Sequence, residues 1–530
     1  MKLSFFGADQ CVTGSCHCLE VNGKRILIDC GLQQGQDNID NRELPFAPNT
    51  IDYVLVTHAH IDHTGRIPLL VRQGFCGSIY TTRVTARLME IMLVDSAYIQ
   101  ESDADYENRK NLRAGRGKVE PLYTVADAER VSGYVHARKY GVPFELCEGV
   151  TVTFTDAGHL LGSASITIDA TEDGVTKTIV FSGDIGNCNQ PIIRDPVLLT
   201  RADYVVMEST YGDRDHVEVW SYTSELAKVI DRTLGRGGNV VIPAFAVGRT
   251  QEILYFLRRI KQERLVHSVD DFPVYIDSPL ASKATTIFCG DLQGYLDDEA
   301  LELVKDGTNM FSFPGLRITE SLEESKMLNF DKTPKVIISA SGMCDAGRVR
   351  HHLKHNLWRA DSTVVFVGFQ SPGTLGRTLL EGAAHVRLFG EDVAVRAEIV
   401  NFKGLSSHAD RKHLLEWAQS FENPTRFFVV HGDREVAPYF ADSLERLGYT
   451  AHAPQYTEVY DLAANRQLER GYLPERKIAT AGGKISAAYQ RLVAVGKLLQ
   501  EVIIRSKGRT NKDLARFADQ LKQLIDKWEE

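Results

Sequence analysis

Residues 57–65 read Thr57-His58-Ala59-His60-Ile61-Asp62-His63-Thr64-Gly65 and directly follow the apolar run Tyr53-Val54-Leu55-Val56. Three imidazoles and one carboxylate therefore lie within six positions, at the end of a predicted buried strand. Imidazole nitrogen and carboxylate oxygen are ligands that Zn²⁺ accepts, whereas closed structural zinc sites usually add thiolates. His58 and His60 are two positions apart on extended backbone and can point to one side, while Asp62 and His63 follow where the chain turns. The spacing favours two adjacent metals, and the alternative is a polar loop that binds none.

Three later segments each place one further candidate ligand beside glycine, after an apolar strand. They read Ala157-Gly158-His159-Leu160-Leu161, Ser182-Gly183-Asp184-Ile185 and Val430-His431-Gly432. Any one of these ligands alone could equally be structural, Asp184 for example as a turn residue or a helix cap. A zinc ion binds about four donors, and a glycine neighbour lets backbone approach a crowded centre. Together with residues 57–65, the three segments therefore predict a pair of metal sites.

These motifs resemble the metallo-β-lactamase superfamily, and more closely its β-CASP branch of nucleic-acid-processing enzymes, over roughly residues 1–455. The resemblance extends to bacterial and archaeal homologues of the 73-kDa subunit of the cleavage and polyadenylation specificity factor, which are related to RNase J. Asp29, in Ile28-Asp29-Cys30-Gly31, matches the first motif of the family, an aspartate that orients the metal loop. The other matches are His58, His60, Asp62 and His63 for the second motif, His159 for the third, Asp184 for the fourth, and Glu208, His408 and His431 for motifs A, B and C.

The resemblance implies two Zn²⁺ ions, with Mn²⁺ as the alternative metal. It assigns one ion to His58, His60, His159 and Asp184, and the other to Asp62, His63, Asp184 and His431. Two metals about 3.5–4 Å apart can share a hydroxide, because they lower the pKa of bound water towards about 7. Asp62, Glu208 and His408 are the catalytic candidates: His408 would protonate the departing sugar oxygen, and Glu208 would hold its imidazole.

The expected function is hydrolysis of RNA phosphodiester bonds through that bridging hydroxide, leaving a 5′-phosphate and a 3′-hydroxyl. The family resemblance implies an endonuclease, with 5′→3′ exonuclease activity as an additional expectation. In the family, branches that act on RNA tend to carry histidine at motif C, as His431 does here, and branches that act on DNA tend to carry valine. Two alternatives remain: a small-molecule metallo-hydrolase of the same superfamily, and a non-catalytic RNA-binding subunit.

Composition is that of an ordinary globular protein. The chain has 530 residues, 43% hydrophobic and 25% charged, with a net charge of -9. An acidic chain does not coat nucleic acid indiscriminately, so RNA, expected as a single strand, must bind at a local basic region. Nine cysteines, an odd number without a disulfide-like framework, favour a reducing compartment. We find no signal-peptide pattern and no apolar run of 18 residues, so we expect a cytoplasmic protein without a membrane partner.

The pattern of elements predicts an α/β fold in four parts. The family resemblance implies an αββα metallo-β-lactamase sandwich from residues 1–211 and 394–460, with an inserted β-CASP domain at 212–393. Within the insertion, predicted strands at 239–243, 274–277, 335–341 and 363–368 alternate with helices, which indicates a parallel sheet. Residues 395–402 are predicted as the strand on which the chain returns to the sandwich. Residues 101–117 are charged and match neither helical nor strand periodicity, so we expect a solvated loop there.

Arg249, Arg348 and Arg377 follow glycine-containing turns at predicted helix starts, where backbone N–H groups can bind phosphate. We predict that they contact the RNA backbone, and the alternative for each is a surface salt bridge. Residues 470–530 lie outside the shared core and form a predicted helical hairpin with a break at 506–511. Its apolar stripes either pack on this protein or make a homodimer.

Overall fold

The structure is a computed structural model that describes residues 1–34, 39–216, 222–290, 292–371, 373–402, 405–475 and 511–526, together with Leu499 and Ile503. The chain divides into two compact units, Met1–Glu475 and Arg476–Glu530. The described strands are β1 Lys2–Phe5, β2 His17–Val21, β3 Lys24–Ile28, β4 Tyr53–Leu55, β5 Ser78–Thr82, β6 Val135–Arg138, β7 Phe144–Cys147, β8 Val150–Asp156, β9 Ala164–Glu172, β10 Val175–Phe181, β11 Tyr204–Glu208, β12 Val240–Pro243, β13 Val274–Ile276, β14 Leu316–Ile318, β15 Val336–Ser339, β16 Thr363–Phe366, β17 His385–Leu388, β18 Glu391–Ala394, β19 Glu398–Asn401, β20 Arg426–Val430, β21 Ala451–His452, β22 Val459–Asp461 and β23 Arg466–Glu469.

The helices lie between these strands and after them. The described α-helices are α1 Ile61–Thr64, α2 Ile67–Arg72, α3 Arg83–Ala114, α4 Val125–Arg130, α5 Tyr222–Gly235, α6 Arg249–Gln262, α7 Pro279–Phe288, α8 Asp298–Lys305, α9 Leu322–Leu328, α10 Val349–Asn356, α11 Leu375–Leu380, α12 Arg411–Gln419, α13 Val436–Arg446 and α14 Asn511–Asp526. Short 3-10 turns span Pro48–Thr50 and Val131–Tyr134. Among the described helices, none is long and apolar enough to cross a membrane.

Two large sheets pack face to face. The first has the order β23-β22-β1-β2-β3-β4-β5-β6, and the second has the order β21-β20-β11-β10-β9-β8-β7. Apolar side chains from both sheets form one buried cluster, with Leu3 and Leu55 on one side and Phe154 and Phe428 on the other. Buried and half-buried residues alternate along β8, as expected where one face of a sheet packs on a core.

Helices cover the outer faces of both sheets. Leu70 of α2 and Leu88 of α3 pack with residues of the first sheet, and Leu414 of α12 and Phe440 of α13 pack with the second. Every residue of β11 is buried, because this strand has a sheet on one side and helices on the other. The four layers confirm the predicted αββα sandwich.

A third, six-stranded sheet has the order β14-β13-β15-β12-β16-β19. All of its neighbouring strands run parallel. Strand–helix alternation through residues 222–401 therefore builds the parallel sheet that the sequence predicted. The proposed boundaries 1–211, 212–393, 394–460 and 470–530 stay a prediction.

The sequence interpretation was wrong about the partner of one strand. β19 was expected to belong to the returning part of the sandwich, but it pairs with β16 at the edge of the third sheet. Its residues are half-buried or exposed, a pattern that indicates an edge strand without indicating which sheet it joins. The chain therefore leaves the third sheet only after Asn401.

The expected loop at 101–117 is also wrong over most of its length. α3 runs from Arg83 to Ala114 and ends at Gly115, whose φ of 65° is typical of a helix C-terminus. After Ala97 only Ala104 and Asn111 are buried, seven positions apart, so the buried stripe contains one small or polar residue every second turn. Such a narrow stripe gives no hydrophobic periodicity that a sequence pattern could reveal.

Two other expectations concern cysteines and the carboxyl-terminal segment. All nine cysteines are thiols, and Cys16 and Cys18 are buried next to and within β2. The second helix of the predicted hairpin is present as α14, with Leu514, Phe517 and Leu521 half-buried. The first helix lies outside the described residues, apart from Leu499 and Ile503.

Candidate metal centre and active site

The predicted ligands come together at one edge of the sandwich, where the strands that carry them end. Residues 57–63 follow β4, His159 follows β8, Asp184 follows β10 and His431 follows β20. Gly183 has a φ of 58°, and a Cβ there would lie 2.8 Å from Cβ of Thr57. Only glycine therefore lets the strand that carries Asp184 approach the histidine loop this closely.

Two of the site residues have left-handed backbone conformations that side chains rarely adopt. The φ angles are 62° at Asp29 and 50° at His431. The N–H of His431 donates to the carbonyl of Ala8 at 2.7 Å, which holds this conformation from outside the strand. Backbone strain of this kind persists only where the surroundings enforce it, and it is concentrated at functional sites.

The first ligand group consists of His58, His60, His159 and Asp184, whose donor atoms all lie within 4.8 Å of one another. Nδ1 of His60 is 3.0 Å from Nε2 of His58 and 3.2 Å from Nε2 of His159. Oδ2 of Asp184 is 3.4 Å from Nε2 of His58 and 3.5 Å from Nε2 of His159. Three nitrogens and one oxygen converge on one point, which is the ligand set of a tetrahedral zinc site.

The second ligand group consists of Asp62, His63 and His431. Nε2 of His63 lies 3.2 Å from Nε2 of His431, and Nε2 of His431 lies 3.5 Å from Oδ2 of Asp62. The other carboxylate oxygen of Asp184, Oδ1, faces this group at 3.2 Å from His63 and 3.6 Å from His431. Asp184 therefore presents one oxygen to each group, which is the geometry required of a bridging ligand.

The protonation states of the first ligand group suit metal binding. Burial holds the pKa values of His58 and His159 well below the ordinary value and also lowers the pKa of His60, so these rings are neutral and offer lone pairs. Burial would raise the pKa of Asp184, but His431 and His63 hold it well below its usual range. Oδ1 of Asp184 is buried and accepts no hydrogen bond of good geometry from any described residue. A buried anionic oxygen without a donor, surrounded by imidazole nitrogens, fits a cation.

Outer hydrogen bonds orient three of the histidines. Asp29 accepts hydrogen bonds from the Thr57 N–H and hydroxyl, both at 2.8 Å, and its Oδ2 is 2.7 Å from Nδ1 of His63. Nδ1 of His431 is 3.0 Å from the Thr210 hydroxyl, and Nδ1 of His159 is 3.2 Å from the Ser407 carbonyl. Because Nδ1 is occupied in each ring, Nε2 is left for a metal.

Asp29 was predicted from the sequence, whereas Thr57, Thr210 and the Ser407 carbonyl were not. The two threonines stand beside predicted motif residues, and that adjacency is the only signal that could have indicated them. A backbone carbonyl gives no sequence signal of its own.

Glu208 and His408 form a pair beside the two ligand groups. Nδ1 of His408 lies 3.1 Å and 3.2 Å from the two carboxylate oxygens of Glu208, and its Nε2 lies 4.0 Å from Oδ2 of Asp184. Glu208 is fully buried and also accepts hydrogen bonds from the Ile185 and Thr210 N–H groups. Burial lowers the pKa of His408, but Glu208 outweighs it and raises that pKa to about 9. The imidazolium thus carries a proton that faces the metal centre.

Each of the three candidate RNA-contact arginines has an acidic partner of its own. Arg249 is buried and pairs with Glu252. Arg348 lies 2.7 Å from the buried carboxylate of Asp277 and donates to the Thr319 and Glu320 carbonyls. Arg377, the most exposed, pairs with Glu381 at 2.6 Å. Their contact with RNA stays a prediction.

Arg348→Ala is expected to lower the free energy of unfolding by about 3 kcal/mol, because it removes the guanidinium beside a buried carboxylate. Arg377→Ala, which removes an exposed i,i+4 pair, is expected to cost about 0.5 kcal/mol or less. Denaturant titration of both variants measures this difference. If both variants are equally stable, and Arg348→Ala instead raises KM for RNA and weakens its salt dependence, the structural role assigned to Arg348 is wrong.

Three sequence profiles match the chain in succession. The Metallo-beta-lactamase superfamily matches residues 10–232, the Beta-Casp domain matches residues 250–379, and the Zn-dependent metallo-hydrolase RNA specificity domain matches residues 392–454. The first profile covers the histidine loop, His159, Asp184 and Glu208, and the third covers His408 and His431.

Curated relatives match most of the chain. A protein named Ribonuclease TTHA0252, from Thermus thermophilus, is 38% identical over 436 residues, which is 82% of this chain and 94% of that protein. A protein named RNase J-like protein, from Methanocaldococcus jannaschii, is 30% identical and spans 83% of this chain and 94% of its own. Transcription termination factor FttA from Methanosarcina mazei is 31% identical over 84% of this chain and 69% of its own.

Proposed function

The chain belongs to the metallo-β-lactamase superfamily and its β-CASP branch, and from this membership we propose how its ribonuclease site works. In this proposal the site hydrolyses RNA phosphodiester bonds with two zinc ions and leaves a 5′-phosphate and a 3′-hydroxyl. The observation that carries the proposal is the pairing of Glu208 with His408. Nε2 of His408 lies 4.0 Å from the carboxylate of Asp184, which both ligand groups share. A small-molecule hydrolase needs no such proton donor for a sugar oxygen. It also does not require the inserted third sheet.

The side chains that would hold zinc are His58, His60 and His159 on one side, Asp62, His63 and His431 on the other, and Asp184 between them. When bound, two such ions lower the pKa of a water molecule and neutralise charge on the phosphoryl oxygens. Asp29 keeps His63 oriented, and the Thr210 hydroxyl does the same for His431. Asp62 is also proposed as a catalytic residue, because its carboxylate faces the same part of the site as His431.

The reaction needs a proton at the leaving group. A water molecule that has released one proton to solvent bonds through its oxygen to phosphorus while the bond from phosphorus to O3′ breaks. His408 transfers its Nε2 proton to O3′ and later regains a proton from solvent. Glu208 accepts from Nδ1 and stabilises the imidazolium that carries this proton. A general acid of this kind typically contributes about 10²–10⁴-fold to the rate.

We further propose a cytoplasmic enzyme whose substrate is single-stranded RNA. The histidine at position 431 supports RNA over DNA through the family pattern at motif C. Endonuclease activity is the principal proposal, with 5′→3′ exonuclease activity in addition. Zinc is proposed over manganese because five of the seven candidate ligands are imidazoles, which suit zinc. A homodimer through the carboxyl-terminal helices stays a prediction.

End-group analysis of cleavage products tests this proposal. Zinc-loaded protein is incubated with matched single strands of RNA and DNA and with a circular RNA, and Asp62→Ala is the control. We expect cleavage of the linear and circular RNA, faster than that of DNA, with 5′-phosphate and 3′-hydroxyl ends. A 2′,3′-cyclic phosphate would contradict the mechanism, equal rates on RNA and DNA would contradict the substrate, and an intact circle would contradict the endonuclease.

A further inference from the structure

Phe245 is an exposed aromatic side chain at the carboxyl-terminal edge of the third sheet. It is the second residue after β12, and 43% of its surface is exposed. One side of its ring is held by the loop after the neighbouring strand β15: a Cβ on Gly342 would lie 3.2 Å from Cδ2 and 3.3 Å from Cε2 of Phe245. The ring therefore rests on glycine backbone and leaves a large aromatic area open to solvent.

The loop that carries Phe245 also contacts the loop that carries His159. A Cβ on Gly248 would lie 2.9 Å from Cδ1 of Leu160, which directly follows the ligand His159. The Thr250 N–H and hydroxyl both donate to the Phe245 carbonyl, at 3.2 Å and 2.8 Å, and hold the loop in place. Three residues span at most about 10 Å of chain. Phe245 thus lies within about 10 Å of chain of a residue that contacts the loop carrying His159.

A cation lies on the His408 side of the same region. The Arg214 guanidinium is 4.9 Å from the ring centre of Tyr211 and 5.9 Å from that of Phe369. Its side chain is 49% exposed, and its contact with Asp213 is long, at 3.4 Å. The Tyr211 ring is in turn 6.3 Å from the His408 ring. An exposed positive charge thus lies one aromatic side chain away from the proposed proton donor.

A hydrogen bond joins these two sides. Nε2 of Gln370, the residue after Phe369, donates to the Gly342 carbonyl at 3.0 Å. Phe245 and Arg214 are therefore connected through consecutive loops at one edge of the sheet. A strand of nucleic acid offers a flat base and a phosphate at each nucleotide, and this edge offers an aromatic face and a cation.

We propose that Phe245 is a stacking platform for one nucleobase of the bound RNA, a few nucleotides at most from the cleaved phosphate, and that Arg214 attracts the adjoining backbone phosphates. The inference rests on the proposed function and adds a subsite to it. Aromatic stacking is available to all four bases, because each base has a π face. The subsite therefore holds a single strand in position without selecting its sequence.

The chain provides a matched control in Phe330, which is 70% exposed and lies in the same part of the fold. Its ring packs on His355, near the end of α10. Because α10 starts after β15 and runs back along the sheet, that end of the helix lies far from the edge that carries Phe245. Phe330→Ala removes an exposed aromatic side chain without changing the proposed subsite.

The experiment compares zinc-loaded wild-type protein with Phe245→Ala, Phe245→Leu, Phe245→Trp and Phe330→Ala. Each protein is assayed on a single-stranded RNA and on versions of it that carry one abasic nucleotide at successive positions near the cleavage site. Stacking on one ring is worth about 1–3 kcal/mol, so Phe245→Ala should raise KM about tenfold with little change in kcat. Phe245→Leu should raise KM similarly, whereas Phe245→Trp and Phe330→Ala should match wild type.

The abasic series gives a second, independent measurement. In wild type one position should raise KM about tenfold when its base is missing, and Phe245→Ala should abolish that sensitivity. An unchanged KM in Phe245→Ala, or an equal abasic effect in both proteins, would overturn the subsite while leaving the hydrolase intact. Wild-type protein that fails to cleave any RNA would overturn the proposed function and this inference with it.

Discussion

Asp184→Ala is expected to lower the turnover number on RNA by at least about 10³-fold and to reduce the zinc bound per chain. The two carboxylate oxygens of Asp184 face different ligand groups, at 3.4 Å from His58 and 3.2 Å from His63. Its removal therefore weakens both predicted zinc sites. Bound metals stabilise the transition state by several kcal/mol, and each 1.36 kcal/mol corresponds to a tenfold change in rate. Rate measurements and elemental analysis of the same preparation check both parts.

Asp203→Ala is the matched control for Asp184. Asp203 directly precedes β11 of the second sheet and pairs with Lys177 at 3.5 Å, at the end of β10 and β11 opposite to Asp184. We expect normal zinc content and a normal rate from this variant. If Asp184→Ala keeps both its zinc and its rate, then Asp184 does not bridge two metals and the assignment of ligands is wrong.

His408→Ala is expected to lower the turnover number on RNA by about 10²–10⁴-fold while zinc content stays unchanged. His408 itself lies within ligand distance of Asp184 and Glu208, but its Nδ1 donates to Glu208. The two candidate zinc groups take their five imidazoles from other residues. The alkoxide at O3′ is a poor leaving group without a proton, so loss of the donor acts on the chemical step.

A substrate with a good leaving group distinguishes proton donation from other roles of His408. Bis(p-nitrophenyl) phosphate releases a phenolate that needs no proton, so His408→Ala should lose little activity on it while it loses most of its activity on RNA. Glu208→Gln should behave in the same direction, and His413→Ala, a nearby histidine on α12 that pairs with Asp410, should resemble wild type on both substrates. Equal losses on both substrates, or loss of zinc, would exclude the role of general acid.

The metal ligands could be predicted from the sequence because each stands at the end of an apolar strand beside glycine or within one dense loop. Parallel neighbouring strands end at the same edge of their sheet, and the two sheets pack face to face. His58, after β4 of the first sheet, and His431, after β20 of the second, therefore converge at the shared edge. The same reasoning could predict the parallel third sheet, because strand, turn and helix alternate with little interruption. These features depend on local periodicity, which a sequence shows directly.

Other features depend on distant partners and could not be predicted. The salt bridge of Arg348 is made to Asp277, 71 positions earlier, and no local pattern reveals it. Arg249 pairs with Glu252, and the i,i+3 spacing of these two residues could have indicated a structural role for Arg249. The pairing of β19 with β16 and the length of α3 were also beyond local pattern, since an edge strand and a sparsely buried helix show little periodicity.

The most direct test of the central claim is the metal content of active protein, measured by elemental analysis together with anomalous scattering at the zinc edge from a crystal. The account predicts two zinc ions per chain, one among His58, His60 and His159 and one among Asp62, His63 and His431, with a carboxylate oxygen of Asp184 on each. It also predicts that chelation abolishes cleavage of RNA and that added zinc restores it. A fully active protein with no metal, or with a single ion that Asp184 does not contact, would contradict it.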